Sequence, residues 1–308
     1  MLNRRAMLRW LGVLSTGPVL YSKLRAAQSI ITRTIPATGE QIPVIGMGSW
    51  ITFDVGENPT ARATRVQVLR TFFELGGVLI DSSPMYGSSE AVIGYCLSQL
   101  GLPQINNQQS LFAATKVWMY GQTPGIKQMN TSQALWDVPQ FALMQIHNLL
   151  DWESHLETLQ AWKSEGRIRY IGVTTSHGRR HQELENILHT QPIDFVQFTY
   201  NLRDRVAEKR LLPLATERGL AVIINRPFQR GALFSAVQGQ PLPTWASEFD
   251  CANWAQFFLK FIISHPAITC AIPATSRVDH MRENMGILIG KLPDESTRQR
   301  MAAYFSSL

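Results

Sequence analysis

Short runs of consecutive apolar residues alternate along the chain with longer stretches whose apolar residues recur at helical spacing. The stretch 64–75, for example, places Val66, Leu69 and Phe72 on one helical face. The apolar runs predict buried strands, so the chain is expected to alternate strand and helix eight times. The predicted strands span residues 44–50, 78–80, 111–117, 141–146, 169–173, 195–198, 221–224 and 268–272.

Apolar residues fill these runs continuously instead of alternating with polar ones, which is typical of parallel strands buried on both faces. Eight parallel strands separated by helices predict an α/β fold of the (β/α)8 TIM-barrel type, in which active-site groups lie at the carboxyl ends of the strands. A doubly wound open sheet is the alternative. That fold typically carries a G-x-G-x-x-G turn after an early strand, and this chain contains none.

Other elements follow from the same pattern. Two short alternating runs before the first strand, joined by residues 38–40, predict an N-terminal β-hairpin. A helix is predicted over 152–166, with Gly166 ending it. The segments 120–130 and 231–248 are rich in Gly, Pro and Gln and are predicted to be loops that overhang the barrel mouth.

Composition limits the domain organisation and the partners. The 308 residues are 45% hydrophobic and 17% charged, which suits one core of barrel size. Of the formal net charge of +6, five charges lie in the first 29 residues, which contain no acidic residue, so the remainder carries +1. Without a basic stripe that includes aromatic residues, we expect no nucleic-acid partner. The widely spaced Cys96, Cys251 and Cys270 predict neither a disulfide framework nor a metal site.

The N-terminal segment has the pattern of an export signal. Arg4 and Arg5 resemble the twin-arginine pattern, and a short apolar run follows over 10–21. The run is too short to span a bilayer comfortably, so no stable membrane insertion is expected after processing. We predict a signal segment over 1–29, a barrel domain over 30–308 and a periplasmic location. An uncleaved amphipathic helix or interfacial anchor is the alternative for the segment, and a cytoplasmic location for the protein.

Three neighbouring strands are each predicted to end in an ionisable residue, namely Asp81, Lys116 and His147. A carboxylate at the tip of a buried strand is costly unless a cation contacts it. Adjacent strands lie about 4.8 Å apart, so Lys116 is the cation expected to contact Asp81. Taken singly, each residue has an ordinary alternative role. Asp81 would cap the following helix, Lys116 would extend from the strand end to solvent, and His147 would be a hydrogen-bonded core histidine.

Tyr86 follows Asp81 by five residues, in the loop after the second strand. A phenol with a free pKa of about 10 donates a proton weakly at neutral pH. A charged Lys116 nearby favours tyrosinate and makes the phenol a better acid. A neutral His147 can donate a hydrogen bond that orients a carbonyl oxygen. Together these residues predict a site that protonates a carbonyl oxygen while another group attacks its carbon.

These residues and their positions resemble the aldo-keto reductases, and the resemblance extends from about residue 31 to 286. It implies that Tyr86 is the general acid, that Lys116 lowers its pKa, that Asp81 holds Lys116 and that His147 orients the substrate. It also implies a nicotinamide cofactor, expected to be NADP (as NADPH) with NAD as the alternative, because no side chain can supply a hydride.

The resemblance further implies a set of cofactor-binding positions. Thr174 and Thr175 stand where the family binds the nicotinamide carboxamide with Ser and Asn, and Gln197 matches the glutamine that completes that contact. Asn225 stands where the family often has a tyrosine that stacks on the nicotinamide ring. The face of the nicotinamide ring is therefore expected to be held differently in this chain. The implied cofactor residues are Gly48, Ser49, Trp50, Asp81, Thr174, Thr175, Gln197, Asn225, Arg226, Phe228, Thr275, His280, Glu283 and Asn284.

The preference between NADP and NAD stays open on the sequence. Ala274 and His280 replace the lysine and arginine that many members of the family direct at the 2′-phosphate. Arg277 and Arg282 are the candidate substitutes, because a 2′-phosphate suits a guanidinium fork. Thr275, at the start of a helix, is expected to present backbone N–H groups to a phosphate.

The resemblance implies a small carbonyl substrate bound between apolar and aromatic walls. The expected walls are Trp50, Met85, Trp118, Met119 and Asn148, with simple packing as the alternative for Trp118 and Met119. We predict a monomeric, metal-free, NADPH-dependent carbonyl reductase that is reversible toward alcohol oxidation. The alternatives are a barrel that retains its cofactor for binding or redox sensing with little turnover, and a Schiff-base enzyme that uses its strand-end lysine.

Overall fold

The structure, a computed structural model, describes residues 30–101 and 111–308. The export signal predicted over 1–29 lies outside the described residues and stays a prediction. Among the residues described, no helix combines the length and the apolar character needed to cross a membrane.

The described chain opens with the predicted β-hairpin. Strand β1 (Thr32–Thr34) pairs antiparallel with β2 (Gln41–Pro43). Ile35 and Ile42 are buried in one cluster with the first residues of several barrel strands. The hairpin therefore covers the amino-terminal end of the barrel and leaves the carboxyl end open.

Within the described residues, eight parallel strands form one sheet in chain order. The first and last strands are joined by the isolated parallel bridges Ile45 to Ala271 and Gly48 to Ala274, which close the sheet. The predicted (β/α)8 barrel is confirmed. Its strands are β3 (Met47–Gly48), β4 (Leu79–Asp81), β5 (Phe112–Val117), β6 (Phe141–Ile146), β7 (Ile168–Thr174), β8 (Phe195–Thr199), β9 (Ala221–Asn225) and β10 (Cys270–Ala271).

Six of these strands lie within a residue of their predicted bounds, whereas the two strands at the closure are much shorter than predicted. The predicted strands 44–50 and 268–272 are reduced to β3 and β10. Their flanks still pair, because Gly46 N–H donates to Ala271 O at 2.9 Å and Gly48 N–H to Pro273 O at 3.3 Å. The apolar pattern therefore marked the paired segments correctly but not the length of regular strand.

Helices surround the barrel and follow its strands. The predicted helix 152–166 is confirmed as α4, and Gly166 lies just beyond it at φ 73°. The helices are α1 (Pro59–Glu74), α2 (Ser89–Gln99), α3 (Gln122–Trp136), α4 (Trp152–Ser164), α5 (His181–Thr190), α6 (Leu211–Glu217), α7 (Ala232–Ala236), α8 (Trp254–Ile263), α9 (Val278–Met285) and α10 (Glu295–Ser306).

The loop predicted over 120–130 is wrong, because α3 begins within it. Pro124 lies in the first turn of α3, where a backbone N–H has no partner inside the helix, so proline is tolerated there. Gly121 precedes the helix at φ 83°, and its N–H donates to Asp151 Oδ2 at 2.7 Å. The Gly and Pro residues mark the start of a helix here, not a loop.

The loop predicted over 231–248 is partly wrong. It contains the short helix α7 and most of a 3-10 turn, Thr244–Phe249. Residues 237–243 between them form neither helix nor strand.

Helix α2 follows directly on the loop that carries Tyr86, and the buried Glu90 fixes it in place. The Glu90 carboxylate accepts hydrogen bonds from Thr115 Oγ1 at 2.5 Å, Ser132 Oγ at 2.8 Å and Trp136 Nε1 at 3.1 Å. Burial raises the pKa of Glu90, and these hydrogen bonds act in the opposite direction. The carboxylate therefore ties α2 to β5 and α3.

A small residue is required where α2 meets α3. A Cβ atom on Gly94 would lie 1.9 Å from the backbone oxygen of Leu135. We expect Gly94→Ala to lower the free energy of unfolding by about 2 kcal/mol, because the backbones must separate. Helix propensity alone predicts a gain of about 1 kcal/mol. Urea unfolding measures the sign, with Ser98→Ala on the exposed face of α2 as the control; a stabilised Gly94→Ala protein would contradict the packing.

Candidate active site

A cavity of about 830 Å³ opens at the carboxyl ends of the barrel strands. The structure brings most of the predicted catalytic, cofactor and substrate residues to its wall. The predicted residues that line it are Gly48, Ser49, Trp50, Asp81, Met85, Tyr86, His147, Asn148, Thr174, Thr175, Gln197, Asn225, Arg226 and Phe228.

Lys116 and Asp81 form an ion pair beneath the cavity. Lys116 Nζ donates to Asp81 Oδ2 at 2.5 Å and to Ser82 O at 2.7 Å, and the two charged side chains are 0% and 2% exposed. Burial is the largest effect and lowers the pKa of the Lys116 ammonium, but Asp81 and Tyr86 together outweigh burial and the net pKa is raised. Lys116 is therefore charged at neutral pH, and it contacts the carboxylate that the strand ends predict.

Two glutamines hold the second oxygen of the same carboxylate. Asp81 Oδ1 accepts from Gln145 Nε2 at 2.8 Å and from Gln197 Nε2 at 3.0 Å, and Gln197 Nε2 also donates to Gln145 Oε1 at 3.1 Å. Gln145 was missed on the sequence, although a polar residue inside the apolar run 141–146 is a signal. Gln197, predicted to contact the nicotinamide carboxamide, is also part of the support of Asp81.

Hydrogen bonds hold the loop that carries Tyr86 both before and after this residue in the chain. Tyr86 N–H donates to Ser83 O at 2.9 Å. The Asp54 carboxylate accepts from Ser88 N–H at 2.9 Å and from Ser88 Oγ at 2.8 Å. The hydrogen bonds from Ser88 lower the pKa of Asp54, so this carboxylate is ionised at neutral pH.

Tyr86 lies close to the charged lysine. Lys116 Nζ is 5.1 Å from the centroid of the Tyr86 ring, and the ring meets His147 edge to face at 5.7 Å. Burial raises the pKa of Tyr86, the Lys116 charge lowers it and the Asp81 charge raises it; the net pKa is raised. The lysine acts in the predicted direction, and burial is the larger effect. The phenol is protonated at neutral pH and can donate.

His147 follows β6 and is neutral. Burial, and then the charge of Lys116, lower its pKa to about 2. Ser83 Oγ lies 2.8 Å from His147 Nδ1 and accepts from Met85 N–H at 3.3 Å. In the tautomer in which the Ser83 hydroxyl donates to Nδ1, the imidazole proton is on Nε2. His147 can then donate a hydrogen bond into the cavity, and Ser83 is a second residue that sequence reasoning missed.

Polar groups from β7, β8 and β9 line the other half of the cavity. Asn225 Nδ2 donates to Thr175 O at 2.9 Å, and Thr199 Oγ1 donates to Asn225 Oδ1 at 2.7 Å. Thr175 is 2% exposed, and its Oγ1 has no hydrogen-bond partner in the described part of the chain. A buried hydroxyl without a partner is costly. Its position fits a ligand amide, such as the carboxamide of a nicotinamide.

Trp118 and Met119, two of the predicted substrate walls, lie at the rim and not in the cavity lining. Each is 39% exposed. The Trp118 ring is still 6.5 Å from the His147 ring, whereas the Met119 carbonyl lies 2.7 Å from Nε2 of His155 on α4.

The residues predicted for the adenosine end lie beyond the edge of the cavity. The lining includes Ala274 but none of the predicted residues of that end, which are Thr275, His280, Glu283 and Asn284. Arg277, a candidate for the 2′-phosphate, forms an exposed ion pair with Asp279. Arg282 is exposed on α9.

Several basic residues line the cavity that sequence reasoning did not single out. They are His177, Arg179, Arg180 and Arg230, on the loops after β7 and β9. Arg180 forms an ion pair with Glu183 at 2.5 Å. The only signal in the sequence is the basic character of the segments 177–180 and 226–230.

Known relatives share most of the length of this chain. Residues 44–303 match the model described as the Aldo/keto reductase family. Methylglyoxal reductase YeaE of Escherichia coli (strain K12) is 28% identical over 256 residues, which cover 80% of this chain and 86% of that protein. The NADH-specific methylglyoxal reductase of the same organism is 22% identical over 296 residues, which cover 84% of this chain and 89% of that protein.

Solved structures share the fold. An aldo-keto reductase from Klebsiella pneumoniae in complex with NADPH matches with a TM-score of 0.72 at 21% identity, covering 90% of this chain and 96% of that one. The thermostable aldo-keto reductase Tm1743 in complex with the inhibitor epalrestat matches with a TM-score of 0.72 at 24% identity, covering 89% and 99%. Both likenesses agree with the barrel described above.

The ion pair makes a signed prediction about stability. Removing the carboxylate in Asp81→Asn leaves burial to lower the pKa of Lys116, so that folding must release a proton. We expect the free energy of unfolding at pH 7 to fall by about 3 kcal/mol. The variant should be more stable at pH 9 than at pH 7. As the pH falls, protonation of the lysine increasingly favours the unfolded chain over the folded one, in which burial lowers the lysine pKa.

The unaltered protein should behave differently in the same urea titrations. Its Lys116 pKa is raised in the folded state. The contribution of Lys116 to the free energy of unfolding is therefore complete below the unfolded pKa of about 10.4, and it is lost only as the pH rises through the folded pKa. Asp279→Asn, which breaks the exposed pair with Arg277, is the control and should change stability little. Equal stability of Asp81→Asn at both pH values would contradict the account of the buried pair.

Proposed function

This chain belongs to the aldo/keto reductase family, and we propose that it is a carbonyl reductase that converts small aldehydes or ketones to alcohols, reversibly, with a nicotinamide nucleotide. One observation carries the proposal: a charged Lys116, a protonated Tyr86 and a neutral His147 converge at the barrel mouth. This arrangement suits proton donation to a carbonyl oxygen.

The nicotinamide nucleotide supplies the hydride, which no side chain of the protein can. The Thr175 hydroxyl, which has no hydrogen-bond partner among the described residues, is suited to bind its carboxamide. A related structure holds NADPH and a relative is NADH-specific by name. We propose NADPH as the cofactor, with NADH as a second one.

The proton comes from Tyr86. Its hydroxyl donates to the carbonyl oxygen as negative charge develops there, and the Lys116 ammonium stabilises the tyrosinate that forms. Asp81 keeps Lys116 charged, and the two glutamines keep Asp81 in place. His147 donates from Nε2 and orients the carbonyl oxygen toward the phenol.

The substrate is proposed to be a small carbonyl compound of the methylglyoxal type. The cavity wall on the side of Tyr86 is apolar except for the amide of Asn148. Its apolar residues are Trp50 and Met85. Two relatives are methylglyoxal reductases by name. Trp118 and Met119, at the rim, are proposed to contact the outer part of a longer substrate.

Removing one oxygen atom tests the general acid. Tyr86→Phe should lower kcat for methylglyoxal reduction about a thousandfold, because general acid catalysis contributes 10²–10⁴-fold. The dissociation constant for NADPH, measured by calorimetry, should stay the same. Tyr120→Phe changes a phenol that is 72% exposed at the rim and is the matched control. Unchanged turnover in Tyr86→Phe would contradict the assignment, and cofactor binding without turnover in the unaltered protein would favour the sensing alternative.

The pKa shifts predict the pH dependence of reduction. The general acid must be protonated, so activity is present below the pKa of Tyr86 and is lost as pH rises through it. Because that pKa is raised, we expect kcat/KM for reduction to stay level from pH 6 to 9 and to fall only above about pH 10. His147 should add no inflection, since its pKa is about 2. A loss of activity between pH 6 and 8 would contradict these assignments.

A further inference from the structure

A buried serine hydroxyl joins the loop that carries the general acid to the histidine that orients the carbonyl. Ser83 Oγ lies 2.8 Å from His147 Nδ1, and the two residues follow β4 and β6. Ser83 is 0% exposed and His147 is 5% exposed. Of the two, only His147 lines the cavity. Ser83 can therefore act on a substrate only through the histidine.

The position of one proton decides what His147 offers to the cavity. A neutral imidazole carries a single N–H, on either Nδ1 or Nε2. His147 is neutral, because burial and then the charge of Lys116 lower its pKa to about 2. The contact with Ser83 is compatible with both tautomers, since a hydroxyl can donate to Nδ1 or accept from it. The first tautomer places an N–H donor at Nε2, and the second places a bare acceptor there.

The surroundings of the Ser83 hydroxyl distinguish the two tautomers. The oxygen already accepts a hydrogen bond from Met85 N–H at 3.3 Å. Among the described residues, His147 Nδ1 is the one acceptor within reach of the hydroxyl hydrogen. In the Nδ1–H tautomer that hydrogen would be buried without an acceptor, which is costly. This cost favours the Nε2–H tautomer by about tenfold.

The backbone of the histidine is held independently of the ring proton. The next residue, Asn148, has φ 53°, a left-handed conformation that non-glycine residues adopt rarely. Its N–H donates to Thr174 Oγ1 at 3.0 Å, and Leu150 N–H donates to His147 O at 3.2 Å. A change at Ser83 therefore acts on the ring and not on the turn that carries it.

The same serine also contacts the general acid. Tyr86 N–H donates to Ser83 O at 2.9 Å, and the Tyr86 ring meets the His147 ring edge to face at 5.7 Å. Ser83 is thus bonded through its carbonyl oxygen to the residue that gives the proton, and through its hydroxyl to the residue that orients the carbonyl.

We propose that Ser83 is a positioning residue that keeps the proton of His147 on Nε2 and so makes the histidine a hydrogen-bond donor to the substrate. The inference rests on the proposed function, which needs a donor at this place. A carbonyl oxygen only accepts hydrogen bonds, so the Nδ1–H tautomer would direct a lone pair at it. A donor that is fixed before the reaction stabilises the negative charge that develops on that oxygen.

The tautomer can be measured without cofactor or substrate. In protein labelled with ¹⁵N at histidine, long-range ¹H–¹⁵N NMR spectra distinguish a protonated ring nitrogen from a bare one, and His147→Gln assigns the resonances. In the unaltered protein we expect Nε2 to be protonated and Nδ1 to be bare. Ser83→Ala should give a mixture of the two tautomers. Ser83→Thr keeps the hydroxyl and should keep the Nε2–H form.

Turnover is the second measurement. Ser83→Ala should lower kcat for methylglyoxal reduction roughly fivefold, because the donor at Nε2 is present in only part of the molecules; complete loss of such a donor costs about 10²–10³-fold. Ser83→Thr should restore most of kcat, and the dissociation constant for NADPH should not change in either variant. Ser98→Ala, on the exposed face of α2, is the matched control, and circular dichroism checks the fold.

Two results would overturn the inference. One is a proton on Nδ1 in the unaltered protein. The other is an Nε2–H tautomer that persists in Ser83→Ala, whether kcat stays the same or falls, since a fall would then reflect only the structure of the loop. If threonine disrupts the loop, the spectra of the unaltered protein and of Ser83→Ala decide without it. Absence of carbonyl reduction by the unaltered protein would contradict the proposed function, whereas the tautomer is measured independently of it.

Discussion

A buried ammonium held by a buried carboxylate is the interaction on which the site depends. Lys116 Nζ contacts Asp81 Oδ2 at 2.5 Å, while Gln145 and Gln197 hold the other oxygen. Burying either charge alone would cost several kcal/mol. The pair is stable only because a closed parallel barrel brings the ends of β4, β5, β6 and β8 to one place. Fold and chemistry are thus linked through one carboxylate.

The pair determines the protonation of its neighbours together with burial. The lysine charge lowers the pKa of both Tyr86 and His147, and burial acts in the same direction on the histidine but in the opposite direction on the phenol. The result is a neutral hydrogen-bond donor beside a protonated acid. Toward the mouth, positive charge lines the cavity at Arg179, Arg226 and Arg230, whereas in the inner site Asp81 neutralises Lys116. The cavity is therefore suited to a neutral reacting group inside and an anionic one outside.

The sequence was sufficient for the barrel and for the three ionisable residues at its strand ends, because continuous apolar runs and an ionisable residue at the end of a run are local signals. Helix α3 could not be predicted, since its first turn contains Gly and Pro and its apolar residues are sparse. Gln145 and Ser83 depend on which side chains point inward once the strands pair. The net pKa of Tyr86 depends on burial, which residue spacing does not reveal. The contact between Arg230 and Trp50 joins two loops that are distant in the sequence, so it could not be predicted from spacing either.

The central claim is that the charge of Lys116 makes the phenol of Tyr86 a stronger acid than burial alone would allow. The most direct test is the ionisation of Tyr86 followed by NMR in protein labelled with ¹³C at the phenol carbon of tyrosine, with the resonance assigned from Tyr86→Phe. The account predicts that Tyr86 ionises at a clearly higher pH in Lys116→Met than in the unaltered protein. Ionisation at the same or a lower pH in Lys116→Met would contradict it.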